Sequence, residues 1–287
     1  MLLFIGLPII SSFFQSLHIE PEQILMEVEK CDPFGCKTET KVDIEATTKL
    51  QEEQPLGRFN GLGTYGDRNH LAFEEIKEAW INSSSMSEFI DILLNLPFYK
   101  ALLFTLTFCF AVTPPVVVLG FIVALSVNTI TKSLKGPTIF GVILPMIVTP
   151  LIGSLVLFWM IDAKGILGSF IQFLFDDPNL SLKSSSQLTW ITLIIYGIWH
   201  NTPFAFVVFY AALQTVPQDP LEAAIIDGAS RYERVRHIVI PHLYPVATFI
   251  ILICLMDNFR VLEPIIGFAA EGVAQSLSWM IYNDLRS

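Results

Sequence analysis

The sequence predicts an all-α membrane protein, because long uncharged stretches run through a chain that is apolar overall. Of the 287 residues, 53% are hydrophobic and 15% are charged, and the mean hydropathy is +0.58. About 20 apolar helical residues cross a hydrocarbon core about 30 Å thick. Four stretches without Asp, Glu, Lys or Arg reach or approach that length: 101–127, 138–161, 188–216 and 239–256.

A fifth apolar stretch opens the chain. Residues 1–17 lack the basic start and the small-residue cleavage pattern of a signal peptide. We therefore expect a first transmembrane helix there, either truncated or marginal in length. Together with the four uncharged stretches it gives five visible spans.

Charge predicts the orientation of these spans. Residues 18–91 carry sixteen acidic against seven basic side chains, which is most of the net charge of −10 and does not favour nucleic acid or an anionic membrane surface. Two short loops between later spans carry the Lys and Arg residues that set topology, at 128–137 and at 217–238. Because short loops that carry Lys and Arg stay in the cytoplasm, residues 18–100 are predicted to be an extracytoplasmic insertion with an amphipathic lead-in, including a helix near 73–81, and 101–287 the core domain.

Two cysteines fall in the predicted outer segment. Cys31 and Cys36 are close enough for a turn to bring them together, and no histidine or second cysteine pair accompanies them. A zinc site is therefore not expected. On an oxidising face a small disulfide is the favoured interpretation, with free thiols as the alternative.

The segment 217–241 is predicted to form two short helices joined at a glycine. Asp219 is expected to cap the first helix and Gly228 to end it. Ser230 and Glu233 have the spacing of a capping pair for the second helix. The result would be a rigid elbow on the cytoplasmic face.

This elbow resembles the EAA loop of bacterial ATP-binding-cassette (ABC) importer permeases. Glu222-Ala223-Ala224 is followed after three residues by Gly228, and Pro241 closes the motif. Neighbouring residues make the chain similar to the carbohydrate-uptake branch, of the maltose and glycerol-phosphate type. They are Leu213 to Pro217, Gly61, Leu62, Tyr65, Pro145, Trp159, Gly165, Ile166, Leu167, Trp199, Pro203 and Phe204. Ile240, Tyr232 and Val235 depart from the usual loop residues.

The resemblance implies a type I ABC importer transmembrane domain in the bacterial inner membrane, with a sixth span beyond the last residue. In that family the loop is a coupling helix that docks on an ATPase. The residues carried over to this contact are Glu222, Ala223, Ala224, Asp227, Gly228, Ala229, Arg231 and Pro241. Two alternatives stay open, since the carboxylate of Glu222 could act as a helix cap and the arginines as a positive-inside anchor.

The resemblance also implies the partners. They are a dimer of ATPase subunits, which would hold ATP and Mg, a second permease, an extracytoplasmic solute-binding protein and membrane lipid. No cofactor is expected on this chain.

Polar side chains in or beside the spans are candidates for the translocation path, because polar groups at such depths usually face a cavity or a partner. His200 and Asn201 lie within the fourth span, and Asp257 and Asn258 follow the fifth. Trp159 and Trp199 could stack on a sugar, although interfacial anchoring explains tryptophans equally well.

No catalytic motif accompanies these candidates. The sequence has no GxxxxGK, HExxH or GxSxG pattern and no cluster of metal ligands, so we expect a transport subunit and not an enzyme. An ion-coupled secondary transporter is one alternative, but it would need paired carboxylates within the spans. An ABC permease for a solute other than a sugar is the other.

Overall fold

The computed structural model describes residues 2–19, 25–32, 35–53, 57–68, 70–83, 85–177, 181–183 and 185–286. The chain divides into two compact units, Met1–Phe98 and Tyr99–Ser287. Helices make up most of the described residues, as the sequence predicts.

The first unit combines helices with two small antiparallel sheets. Strand β1 (His18–Ile19) pairs with β4 (Arg58–Phe59), and β2 (Leu25–Asp32) pairs with β3 (Gly35–Val42). The helices are α1 (Leu2–Ser16), α2 (Ile44–Glu53), α3 (Gly63–Gly66), α4 (Phe73–Asn82) and α5 (Met86–Asn95). Helix α4 confirms the amphipathic helix expected near 73–81. Helix α1 has 15 residues, which is too short to cross a bilayer unaided.

The hairpin of β2 and β3 bears on the predicted disulfide. Its backbone register places Cys31 opposite Cys36. The side chains of these two cysteines lie outside the described part of the chain, so the bond between them stays a prediction.

From Pro97 onwards the described chain consists of helices and turns. The long helices are α6 (Pro97–Thr129), α7 (Lys132–Ile147), α8 (Pro150–Met160), α9 (Ile166–Phe175) and α10 (Ser186–Leu213). They are followed by α11 (Gln218–Ile226), α12 (Arg231–Arg234), a π-helical turn (Val235–Val239), α13 (Ile240–Phe259), α14 (Glu263–Gly267) and α15 (Leu277–Asp284).

Three helices of the described chain are long and apolar enough to cross a membrane: α6, α10 and the continuous helix Arg231–Phe259. The predicted span over 138–161 is not one continuous helix, because α7 and α8 meet at an angle of 94°. Thr149 precedes Pro150 and has ψ 143°, and a residue before proline avoids the helical region for steric reasons. Counted as one broken span, the pair gives four spans. The predicted total of five is not confirmed.

The core of the second unit sits where α6, α10 and α13 pack together. Gly120 lets α6 approach α10 closely, since a Cβ there would lie 2.5 Å from the Cβ of Ala205. Phe104 packs edge-on against Trp190 with 4.9 Å between ring centroids. Ile250 of α13 is fully buried in the same cluster. This packing fixes the polar side chains that the same helices carry.

An ion pair connects the two ends of the segment between α8 and α10. The Nζ atom of Lys183 lies 3.0 Å from Oδ2 of Asp162 and 3.3 Å from the centroid of the Phe158 ring. The hydrogen bond from this ammonium group holds the pKa of Asp162 below its usual value. The short apolar helix α9 lies inside this segment.

Candidate coupling loop and polar cavity

The first arm of the loop is α11, which begins two residues earlier than the sequence predicts. Pro217 is the residue before the helix, and no side chain caps this end. The prediction that Asp219 caps the helix is therefore wrong. Because the chain is already helical at Gln218, Asp219 lies in the first turn of the helix. There its negative charge interacts favourably with the unpaired N–H groups of the helix end.

The end of α11 is set by Gly228, as predicted. This glycine has φ +80°, a conformation that costs other L-residues about 1 kcal/mol or more. Its N–H donates to the carbonyl of Ile225 at 3.1 Å, and the N–H of Ala229 donates to the carbonyl of Ala224 at 2.9 Å. These two bonds form a Schellman motif, which satisfies carbonyls that the helix end would leave unpaired.

The second arm begins with the predicted capping box. The N–H of Ser230 donates to Oε2 of Glu233 at 2.7 Å, and the N–H of Glu233 donates to Oγ of Ser230 at 3.3 Å. The expectation of a second short helix is wrong, because this arm continues through the π-helical turn into α13 as one helix, Arg231–Phe259. Pro241 has no N–H for the helical ladder, and the ladder widens in the turn before it.

Most predicted contact residues of the loop are exposed to solvent. Ala224 and Ala229 are half-buried. The exposed ones are Glu222, Ala223, Asp227, Gly228, Arg231 and Pro241. The loop thus offers carboxylates, an arginine and small side chains on one accessible segment.

Sequence reasoning missed the apolar part of this surface. Ile226 is 85% exposed, Tyr232 is 70% exposed and Ile225 is also exposed. Only Leu221 of α11 packs against the core. The spacing was the available signal, since Ile226 follows Leu221 by five residues and therefore points about 140° away from it around the helix. Exposed apolar side chains of this size are typical of a protein contact.

Four of the six predicted path residues line one cavity of about 250 Å³. It collects His200 and Asn201 from α10 and Asp257 and Asn258 from the end of α13. The Nδ1 atom of His200 is buried without a hydrogen-bond partner among the described residues. The other residues around the cavity are Phe108, Pro150, Tyr196, Gly197, Arg260, Val261, Glu263 and Pro264.

A chain of hydrogen bonds holds three helices together beside this cavity. Nδ2 of Asn201 donates to the carbonyl of Gly197 at 2.9 Å and to Oδ1 of Asn258 at 3.2 Å. Nδ2 of Asn258 in turn donates to Oγ1 of Thr113 on α6 at 3.1 Å. Asn258 is buried, so these bonds replace the water that it loses. The amide groups are therefore fixed in orientation at the cavity wall.

The two candidate tryptophans lie elsewhere. Trp159 is exposed on α8, and Trp199 lines a separate, largely apolar cavity of about 510 Å³ between α6, α7 and α10. The structure instead adds Tyr196 and Glu263 to the polar cavity. The ring of Tyr196 stacks on His200 with centroids 5.7 Å apart. Glu263 follows the last span in an otherwise apolar stretch, which was a usable sequence signal.

Comparisons with known proteins agree with this architecture. The trehalose/maltose transport system permease of Thermococcus litoralis is 28% identical over 211 residues, covering 69% of this chain and 68% of that protein. The sn-glycerol-3-phosphate transport system permease of Pectobacterium atrosepticum is 27% identical over 208 residues and 70% of each chain. The chain spans about half the length of the related glycerol-phosphate permeases of Escherichia coli, at 28% identity over 146 residues.

Two solved structures share the fold. One is a chain of a bacterial alginate ABC transporter in complex with an alginate-pentasaccharide-bound periplasmic protein, with a TM-score of 0.54 and 18% identity over 73% of this chain and 71% of that chain. Another alginate importer chain gives a TM-score of 0.52 and 17% identity, covering 83% of this chain and 81% of that chain. At these identities the likeness concerns the fold alone.

The family match covers the site. Residues 93–262 match the family described as the binding-protein-dependent transport system inner membrane component. This range contains the loop, the hydrogen-bonded asparagines and all three spanning helices. It confirms the resemblance to ABC importer permeases and the predicted location in the inner membrane. The chain belongs to the family of inner membrane components of binding-protein-dependent transport systems.

Proposed function

We propose that this chain is the permease subunit of an ATP-driven, binding-protein-dependent importer for a sugar or a related polar solute. It forms half of the translocation path and carries out no chemistry itself. ATP and Mg act on separate ATPase subunits, and a solute-binding protein delivers the solute on the opposite face. The family supports the transport role. The name of the trehalose/maltose permease supports the sugar.

The exposed loop is the observation on which this proposal depends most. The apolar side chains of Ile225, Ile226 and Tyr232 are exposed, together with charged ones, on a segment with its own Schellman motif and capping box. Such an element is already ordered before a partner arrives, so little conformational entropy is lost on docking. These properties suit a contact with an ATPase.

The helix Arg231–Phe259 connects the loop to the cavity. Its first turn belongs to the loop, and its last turn carries Asp257 and Asn258. At about 1.5 Å per residue this helix is roughly 40 Å long. The π-helical turn is the only irregular segment of this helix. A displacement of the loop, when the ATPases close, would therefore be passed along the helix to the cavity wall.

The polar cavity is the proposed translocation path. Amide, imidazole and carboxylate groups suit the hydroxyl groups of a carbohydrate. Asp257, Arg260 and Glu263 are exposed at its edge, and charged groups at a membrane-facing surface are costly unless protein or water covers them. A second permease facing this side would complete the path.

The loop proposal is tested with two matched substitutions. Ile226→Glu places a charge in the apolar patch, and Leu285→Glu makes a comparable change at a residue that is also 85% exposed but lies outside the loop. Each variant is co-expressed with the neighbouring transport subunits and purified. We expect Ile226→Glu to lose most of the co-purifying ATPase and of the solute-stimulated ATP hydrolysis, as should Glu222→Lys and Gly228→Asp. Leu285→Glu should retain both.

Equal ATPase recovery in Ile226→Glu, Glu222→Lys and the parent would overturn the docking role of the loop. A loss in all variants, including Leu285→Glu, would indicate misfolding. Uptake assays with labelled maltose-type sugars would then test the solute independently of docking.

A phosphate ester is the second candidate solute. Arg260 lines the cavity, and an arginine can bind a phosphate through two hydrogen bonds. Relatives of the chain are named glycerol-phosphate permeases. Competition of labelled uptake by glycerol 3-phosphate or by a neutral disaccharide distinguishes the two, and Arg260→Gln should weaken uptake of the phosphate ester alone.

A further inference from the structure

The helical hairpin α4–α5 has an apolar surface that the transport role does not use. In α5, apolar side chains occupy positions 86, 89, 90, 93 and 94, and polar ones occupy 87, 88, 91 and 95, with Ile92 as the one apolar residue on the polar side. This spacing gathers the apolar residues on one face of the helix. Asp91 lies on the opposite, exposed side.

Large side chains on this surface are open to solvent. Trp80 of α4 is 60% exposed and Met86 of α5 is 62% exposed, and Ile81 and Ile90 are exposed as well. Trp80 packs edge-on against Phe89, with 5.3 Å between the ring centroids. The two helices therefore join their apolar residues into one patch with an aromatic pair at its centre.

The position of the patch along the chain indicates what covers it. The sequence suggests that residues 89–96 lead directly into the membrane, yet α5 ends at Asn95 and Leu96 is extended with ψ 137°. Leu96 precedes Pro97, which disfavours a helical Leu96. Helix α6, a membrane span, begins at Pro97. The end of α5 is thus tied within two residues to a helix that enters the bilayer.

We propose that the α4–α5 hairpin lies flat on the membrane surface, with Trp80, Met86, Phe89 and Ile90 in the boundary between headgroups and acyl chains. Tryptophan is enriched at this depth, and amphipathic helices bury their apolar face there. The polar side of the hairpin is acidic, with Glu74, Glu75, Glu78 and Asp91. Attachment accordingly rests on apolar burial and not on anionic lipid, which suits a zwitterionic surface.

This placement does not depend on the solute or on the ATPase contact. It gives the first unit an anchor of its own beside the first residue of α6. An extracytoplasmic partner protein is the competing occupant of the same patch, and the test separates the two.

The test measures which side chains touch lipid. Met86→Cys and Asp91→Cys are labelled with a small fluorophore, and each full-length chain is reconstituted into phosphatidylcholine nanodiscs. The parent chain, labelled in the same way, reports the background from its native cysteines. Quenching is measured with phosphatidylcholine that carries a nitroxide near the headgroup, and separately with iodide in solution.

We expect the lipid quencher to act at least about twofold more strongly on position 86 than on position 91, and iodide to show the reverse order. Adding phosphatidylglycerol should leave the ratio unchanged. Equal lipid quenching at the two positions would overturn the proposal, as would access of iodide to both. Shielding of position 86 from both quenchers would assign the patch to a protein contact instead.

Discussion

The coupling loop and the polar cavity obtain their geometry in different ways. In the loop, the bonds that define the shape join residues at most five positions apart, such as Ala229 to Ala224 and Ser230 to Glu233. In the cavity, Asn258 bonds to Thr113 across 145 residues of sequence. The loop is exposed and shaped locally, whereas the cavity exists only when three helices are packed.

This difference predicts how each region responds to substitution. A change in the loop disturbs one turn and the surface that it presents, so transport coupling should suffer more than stability. A change near the cavity leaves buried groups unpaired or helices displaced, so stability should suffer first. The following predictions probe this contrast.

The largest effect on stability is expected where α6 and α10 cross. In Gly120→Ala the added methyl group would meet the Cβ of Ala205 at 2.5 Å and backbone atoms at 3.0 Å, so a helix must move. We expect a loss of about 2 kcal/mol. Gly141→Ala in α7 is the control, because nothing lies within 4 Å of its Cβ. Thermal unfolding of the detergent-solubilised chains measures both, and equal midpoints would contradict the close crossing.

The bridging asparagine should have the next largest effect. Asn258→Ala removes one of the two hydrogen bonds of the Asn201 amide and the donor to Oγ1 of Thr113, so hydrogen bonds are lost in the protein interior. We expect a loss of about 1–2 kcal/mol. In the double variant with Thr113→Val the two losses should not add, because both changes break the same bond. Strict additivity in the same unfolding assay would argue against the network.

Gly228 should affect the loop more than the fold. Gly228→Ala forces a Cβ into a positive-φ conformation without any steric neighbour, at a cost of about 1 kcal/mol confined to the elbow. Gly228→Asn, which tolerates this conformation, should be close to the parent. Hydrogen exchange of the α11 amides and stimulated ATPase activity are the measurements. A fall in the global unfolding midpoint comparable to that of Gly120→Ala would remove the distinction between the two regions.

The smallest effect concerns the ion pair outside both regions. The folded state lowers the pKa of Asp162, so its pairing with Lys183 stabilises the chain above the unfolded value of about 3.9 and is lost as the pH falls through the lower folded value. The parent should therefore unfold at a higher temperature than Asp162→Asn near pH 7, and the gap should close at acidic pH. Asp176→Asn serves as the control. A difference in unfolding temperature that does not change with pH would exclude the ion pair as its cause.

Local signals made the loop predictable from the sequence. The glycine at 228 and the Ser230–Glu233 spacing specify backbone geometry within one or two turns, and both predictions are confirmed. Asp219 failed as a cap because Pro217 already sets the chain for a helix from Gln218. The exposure of Ile226 was not predicted, because its hydropathy suggests burial. Its position five residues after Leu221 places it on a different side of α11.

Span boundaries were less predictable. Hydropathy alone does not predict the 94° bend between α7 and α8, since the uncharged stretch 138–161 continues through it. The break depends instead on two extended residues before Pro150. The sequence likewise did not predict α5 as a separate helix, because its apolar residues resemble the start of a span.

By itself the sequence determined that this chain is a helical membrane protein and that residues 217–241 form a capped elbow, because apolar length and caps act over a few residues. Only the tertiary structure decided that His200, Asn201, Asp257 and Asn258 share one cavity and that Trp159 lies apart from it. Contacts between helices depend on their crossing and rotation, which many side chains determine together and no short motif encodes.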